Sequence, residues 1–273
     1  MRVVFEQWKY ILKNLWFVLP FGVVPAFFLA LCVDFNAIRI VATSLFGGSL
    51  DLTFTQIFRA WSIINIGTPL GIIFSVLGAI VIVFGSSLLL SFVEKHMRIG
   101  KRTLSGVFSQ IGNHITAFII FTLTLLFIFE VWAIALSAVL TAICTIPSKV
   151  VARIFFVLIS LVFVAALIYL ITVIYLWLPC KLHTGFRTYD ALLYSYRLVI
   201  GVRWRLILSL VISYVPCFFI LFASSFGPEI LSRILSVVLF TFAYLSFCVR
   251  METLYFETDK LDREDLLRSY REL

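Results

Sequence analysis

Long stretches without a formal charge dominate the chain. Runs free of Asp, Glu, Lys and Arg occupy 14–33, 60–93, 103–129, 131–148, 154–180, 206–228 and 234–249. A helix that crosses a bilayer needs about 20 apolar residues. The pattern therefore predicts six spans, at 14–33, 67–93, 115–142, 152–178, 206–226 and 230–249. The region 103–148 is read as one span although LLFIFEVWAIAL places Glu130 inside it. No turn signal lies near that glutamate, and the first break is Pro147. A β-barrel needs shorter segments of alternating polarity, which are absent.

The connection 34–66 is long, apolar and almost uncharged, and it divides at Gly47-Gly48-Ser49 into two amphipathic pieces. Each is too short for a span or carries Arg. Irregular backbone facing lipid leaves peptide groups unsatisfied. The pieces are therefore expected to be one or two helices, lying in the interface or folded back over the bundle. They form either a packing cap or a lid.

Composition agrees with this class. Hydrophobic residues make up 62% of the 273 positions and charged residues 13%, with a mean hydropathy of +1.11, against about 25% charged in soluble domains. No secretory signal with a convincing cleavage site opens the chain. The five cysteines (Cys32, Cys144, Cys180, Cys217, Cys248) lack metal-ligand spacing and read as small buried hydrophobes. The sequence holds no N-x-Ser/Thr sequon, as expected of a bacterial protein.

Charge sets the expected orientation. With the N-terminus in the cytoplasm, seventeen of the 22 Lys and Arg residues fall on inner segments and five on outer ones. That bias is the positive-inside pattern, so both termini are expected to be cytoplasmic. Trp16, Trp177 and Trp204 lie near inner span ends, where indole favours the membrane border. The net charge of +8 then points to the anionic inner leaflet as partner, through Arg98, Lys101, Arg102, Arg187, Arg203 and Arg205. Nucleic acid is excluded as a partner because the basic residues flank spans and form no separate soluble domain.

The domain reading is a transmembrane helical bundle over 1–249, with 34–66 as an extracytoplasmic loop, and a charged cytoplasmic tail over 250–273. The tail carries seven of the fourteen acids and is expected to be a solvated continuation of the last helix. Within it, 259–272 can form a short helix with Leu261, Leu266, Leu267 and Tyr270 on one face, a docking segment for a protein partner.

Two inner loops resemble each other: GKRTLSGVFSQIG at 100–112 and GFRTYDALLYSYR at 185–197. Each has Gly-x-Arg-Thr before an amphipathic lead into a span, and Thr103 and Thr188 are expected helix caps. VFEQ at 4–7 echoes VFSQ at 107–110, suggesting a parallel three-fold repeat of amphipathic lead plus helical hairpin. TFTQIFRAW in the outer loop looks similar as well. Gly67, Gly71, Ser75, Gly78 and Gly85 form a small-residue groove for close helix packing, within the chain or between two copies. Pro20, Pro25 and Pro216 should bend or break their helices.

No catalytic pattern is present. The sequence has no HExxH, GxSxG, Walker A or Gly-rich dinucleotide motif, and His96, His114 and His183 show no metal-ligand spacing. No cofactor and no enzymatic activity are expected. The expected function is a non-enzymatic integral membrane protein that acts as an assembly, regulatory or lipid-organising partner. The competing reading is a small transporter or permease subunit with Glu130 in its pathway, since intramembrane acids are functional candidates by default. Glu130 is expected to face the bundle interior. There it either stays protonated and bonds to Tyr169, Tyr214 or Tyr244, or pairs with Arg153 or Arg233.

Overall fold

The computed structural model describes residues 2–47, 50–102, 104 and 107–266, with the backbone alone at 2, 3, 110 and 113. The described residues form ten helices: α1 (Arg2–Lys13), α2 (Leu15–Cys32), α3 (Phe35–Phe46), α4 (Phe54–Trp61), α5 (Pro69–Ile99), α6 (Val107–Cys144), α7 (Lys149–Ile174), α8 (Trp177–Thr184), α9 (Thr188–Ser224) and α10 (Glu229–Thr258). No strand occurs among the described residues. Six segments are long and apolar enough to cross a membrane: α2, α5, α6 from His114, α7 with α8, α9 and α10. Each corresponds to one predicted span. The fold is thus an all-α, polytopic membrane bundle, and α6 runs through Glu130 without a break.

Local signals place the helix ends. Pro69 opens α5 behind Thr68, whose hydroxyl accepts from the Gly71 amide at 3.0 Å. Gly100 and Gly185 close α5 and α8 at φ of 71° and 67°, a left-handed backbone that glycine adopts without a Cβ clash. The two Gly-x-Arg-Thr stretches therefore share one local role, as stop signals between two helices. Arg187, not Thr188, occupies the cap position of α9; Thr103 and the 48–49 part of the outer break lie outside the described residues. Helices α2 and α9 continue past Pro20, Pro25 and Pro216. Hydroxyls inside the spans bond back to their own helix: Ser137 to the Ala133 carbonyl at 2.6 Å, and Thr241 to that of Val237 at 2.7 Å. This satisfies them where water is absent.

Packing is organised around α2 and α10. Helix α2 lies between α5 and α10, and α10 also touches α1, α8 and α9. The small residues allow this closeness. A Cβ on Gly22 would meet the Leu245 side chain at 2.7 Å, and one on Gly85 would meet Pro25 at 2.5 Å; Gly78 faces Phe28 and Cys32. Gly67 and Gly71 serve a different purpose. Gly67 precedes α5 and lies against the Arg59 guanidinium, while Gly71 lies against Asn65.

Two apolar cores result. One lies toward the chain ends, with Ile11, Phe92, Met97, Phe118, Tyr175, Leu178 and Leu254. The other joins α3 and α4 to α6 and α7 through Leu50, Ile57, Trp132, Leu136, Leu140 and Phe156. We call these the terminal and distal ends. The segment 34–66 is thus a packed cap of two helices. Arg59 binds Asp34 at 2.6 Å, and Lys149 binds Asp51 at 2.9 Å. Arg39 donates to the Ser225 and Gly227 carbonyls at 2.8 and 2.9 Å, between α9 and α10.

The tail continues the last helix as expected, but its expected solvation from residue 250 is corrected. Helix α10 extends to Thr258, and Arg250 to Phe256 are all buried among α1, α8 and α9. Their mixed polarity resembles a surface segment, but Arg250 and Glu252 meet polar side chains of neighbouring helices. Beyond it, Arg263 binds Asp265 at 2.8 Å and Glu6 of α1 at 3.8 Å. Leu261 and Leu266 are exposed; Leu267 and Tyr270 lie outside the described residues.

Candidate functional site

Inside the terminal end, Arg250 is fully buried. It stands 21 residues from Glu229, the start of α10, or about 32 Å at 1.5 Å per residue. That matches the thickness of a hydrocarbon core, about 30 Å. Its Nε donates to Gln7 Oε1 at 2.5 Å and its Nη2 to Ser246 Oγ at 3.0 Å and to Ser213 Oγ. Gln7 Nε2 donates in turn to Ser246 Oγ at 2.8 Å. The Tyr214 ring lies 5.6 Å from the guanidinium carbon, in cation–π range. One arginine thereby ties α1, α9 and α10 together.

Glu252 lies two residues on and faces another direction, because positions i and i+2 do not share a helix face. Its Oε2 is 3.1 Å from Nε2 of His183 on α8. The His183 ring stacks on Tyr255 at 4.7 Å and meets Phe256 edge-on at 5.3 Å. On α5, Glu94 is buried and pairs with Arg98 at 3.1 Å. Tyr10 Oη lies 2.8 Å from His96 Nδ1. Burial pushes the Tyr10 phenol well above its ordinary range, so the hydroxyl keeps its proton beside the imidazole. Asp259 accepts from Tyr194 at 2.6 Å and from Tyr255 at 3.0 Å, closing α9 onto the end of α10.

Glu130 occupies a separate site toward the distal end. Its Oε1 accepts from the Ile63 and Ile64 amides at 3.0 and 3.1 Å, and its Oε2 from the Ser62 hydroxyl at 2.7 Å. The carboxylate thus satisfies the non-helical backbone between α4 and α5. The side chains expected beside it are elsewhere. Tyr214 and Tyr244 donate to the Ala243 and Ile82 carbonyls at 3.2 and 3.4 Å. Arg233 pairs with Glu229 at 2.7 Å. Tyr169 meets Arg203, and Arg153 sits one turn into α7.

The expected headgroup contacts are spread around the terminal end. Lys101, Arg187 and Arg205 are exposed. Arg102 covers the Phe17 ring at 5.1 Å and reaches the Lys13 carbonyl at 3.5 Å. Trp16 and Trp204 are exposed, but Trp177 is buried and donates to the Thr188 carbonyl at 3.1 Å, so it packs α8 against α9 instead of meeting the membrane border.

Sequence reasoning passed over Arg250, Glu252 and Gln7. The available signal was an Arg-x-Glu pair on an uninterrupted continuation of the last apolar run. Chemically, these groups hold helices together through charge-assisted hydrogen bonds. Among the described residues, no set of three or more His, Cys, Asp and Glu side chains is placed to hold a metal ion. Comparisons with protein-family models, curated proteins and solved structures found no match to the chain.

Proposed function

We propose that this chain is a non-enzymatic multi-pass protein of a bacterial plasma membrane, with its terminal end in the cytoplasm, acting as an assembly, regulatory or lipid-organising partner. The orientation rests on the seventeen Lys and Arg residues that the sequence assigns to that side. One observation supports the role. The ionisable groups inside the bundle are engaged in fastening helices: Arg250 to Gln7 and Ser246, Glu252 to His183, and Glu130 to the 62–64 backbone. What is left to act on other molecules is the outer surface, with its basic border and the charged segment after α10. The test is purification in mild detergent, with bound lipids and cross-linked proteins identified by mass spectrometry. A reproducible companion is expected; recovery of the bare protein overturns the proposal.

A second reading, a small transporter or permease subunit, draws on the site of Glu130. This carboxylate stands 14 residues from Cys144, the distal end of α6, or about 21 Å along the helix. There it meets irregular backbone at 62–68, and irregular backbone beside an intramembrane acid marks many transport pathways. Substrate flux into reconstituted liposomes that is lost in Glu130→Gln supports this reading. Flux equal to that of empty liposomes rejects it.

A further inference from the structure

Arg203 lies where α9 leaves the membrane. It is 21 residues from Ser224, or about 32 Å along the helix, and Tyr169 is 20 residues from Lys149 on α7, or about 30 Å. Both therefore stand at the terminal-side border if the distal ends of α7 and α9 mark the opposite one. The guanidinium carbon of Arg203 is 5.5 Å from the Tyr169 ring and 5.4 Å from the Tyr196 ring. Its Nη1 reaches the Tyr169 hydroxyl at 3.5 Å. Nε and Nη2 are covered and make no well-formed hydrogen bond among the described residues, with the Tyr196 side chain the polar group beside the guanidinium. No carboxylate of those residues lies within ion-pair distance of it. Around this held cation the surface is open and aromatic: Tyr169 is 44% exposed, Tyr196 38% and Trp204 81%.

We infer that Arg203, Tyr169 and Tyr196 form a binding site for the phosphate of an anionic phospholipid, seated between α7 and α9. The two rings fix the plane of the guanidinium, so its Nε/Nη2 edge keeps the fork that matches two phosphate oxygens. Turning within the plane that the rings hold brings that edge to the border. The site sits at headgroup depth, and the apolar faces of α7 and α9 below it suit acyl chains. A free phosphate ion lacks those chains and gains only the charge contact. The inference rests on the proposed cytoplasmic, lipid-contacting terminal end, and it adds one defined site to a diffuse basic border.

The test is native mass spectrometry of the full chain, released from detergent after incubation with phosphatidylglycerol vesicles. Wild-type protein is expected to retain one phosphatidylglycerol through a delipidating wash. Arg203→Gln is expected to lose occupancy at least fivefold, and Arg203→Lys to be intermediate because the ammonium lacks the fork. Lys9→Gln, an exposed cation on α1 outside the expected headgroup contacts, serves as the control and is expected to match wild type. Should Arg203→Gln fold poorly, Tyr196→Leu replaces it, with loss of occupancy again expected. Equal occupancy in wild type and Arg203→Gln overturns the site. Equal losses in the Arg203 and Lys9 variants reduce it to general surface attraction and overturn it too. Displacement of the lipid by millimolar inorganic phosphate overturns the choice of a lipid. None of these outcomes touches the wider proposal, which fails only if no lipid or protein companion is recovered at all.

Discussion

Arg250 donates to Gln7 across the α1–α10 contact at 2.5 Å, and both side chains are fully buried. A buried charge tolerates loss of its partner poorly, whereas replacing the charge itself by an apolar group of similar volume is far cheaper. Gln7→Leu should therefore destabilise the protein by about 3 kcal/mol. Arg250→Met should cost less than Gln7→Leu, because Gln7 retains its bond to Ser246. Thermal unfolding of the two variants in the same detergent checks this order, and the reverse order contradicts it.

The carboxylate of Glu130 accepts three hydrogen bonds from residues 62–64. Glu130→Gln keeps a carbonyl oxygen for the two amides, so it should cost under about 1 kcal/mol. Glu130→Ala leaves those amides without an acceptor and should cost about 2–3 kcal/mol. The damage should be local. Limited proteolysis is expected to cut near 62–68 in the alanine variant and to leave the glutamine variant as resistant as wild type.

His183 and Glu252 meet at 3.1 Å, with the glutamate fully enclosed. A double-mutant cycle with His183→Ala and Glu252→Gln should show that the two losses do not add. The coupling should be about 1–3 kcal/mol. Additive losses, read from detergent unfolding curves, would mean that the two side chains do not depend on each other.

Glycines in the spans should divide by what faces them. At Gly85 a Cβ would stand 2.5 Å from Pro25 and 3.2 Å from the Tyr244 hydroxyl. Gly85→Ala should therefore destabilise by about 1–3 kcal/mol. At Gly201, in the interior of α9, nothing lies within 4 Å of a Cβ. Gly201→Ala should be stabilising by up to about 1 kcal/mol, through helix propensity. Opposite shifts in melting temperature are the expected signature.

The spans were legible because one physical demand sets them: a charge-free run must match the thickness of the hydrocarbon core. That demand located all six and carried α6 through Glu130. The partners of Glu130 were not legible. Its donors are a serine and two backbone amides of the 62–64 return, and backbone amides leave no mark in the sequence. Residues 250–256 misled for a related reason. Arg250 and Glu252 suggest solvent by composition, and only the placement of Gln7 and His183 beside them makes burial affordable. Small-residue spacing was informative at Gly78 and Gly85. It misled at Gly67, where the neighbour is the Arg59 guanidinium and not a facing span.

The seat of α2 between α5 and α10 bears on how the protein is made. Helix α10 follows every other span in the chain, so the flank of α2 around Gly22 stays open until all of them have been synthesised. Membrane insertion of α2 and α5 can proceed as they emerge, but the seam that joins them to α10 forms only afterwards. A product cut short before α10 would hold Gln7 and Gly22 against lipid or solvent instead of against Ser246 and Leu245. A half-made chain of this kind carries its own mark of incompleteness for the proteases of the membrane to read.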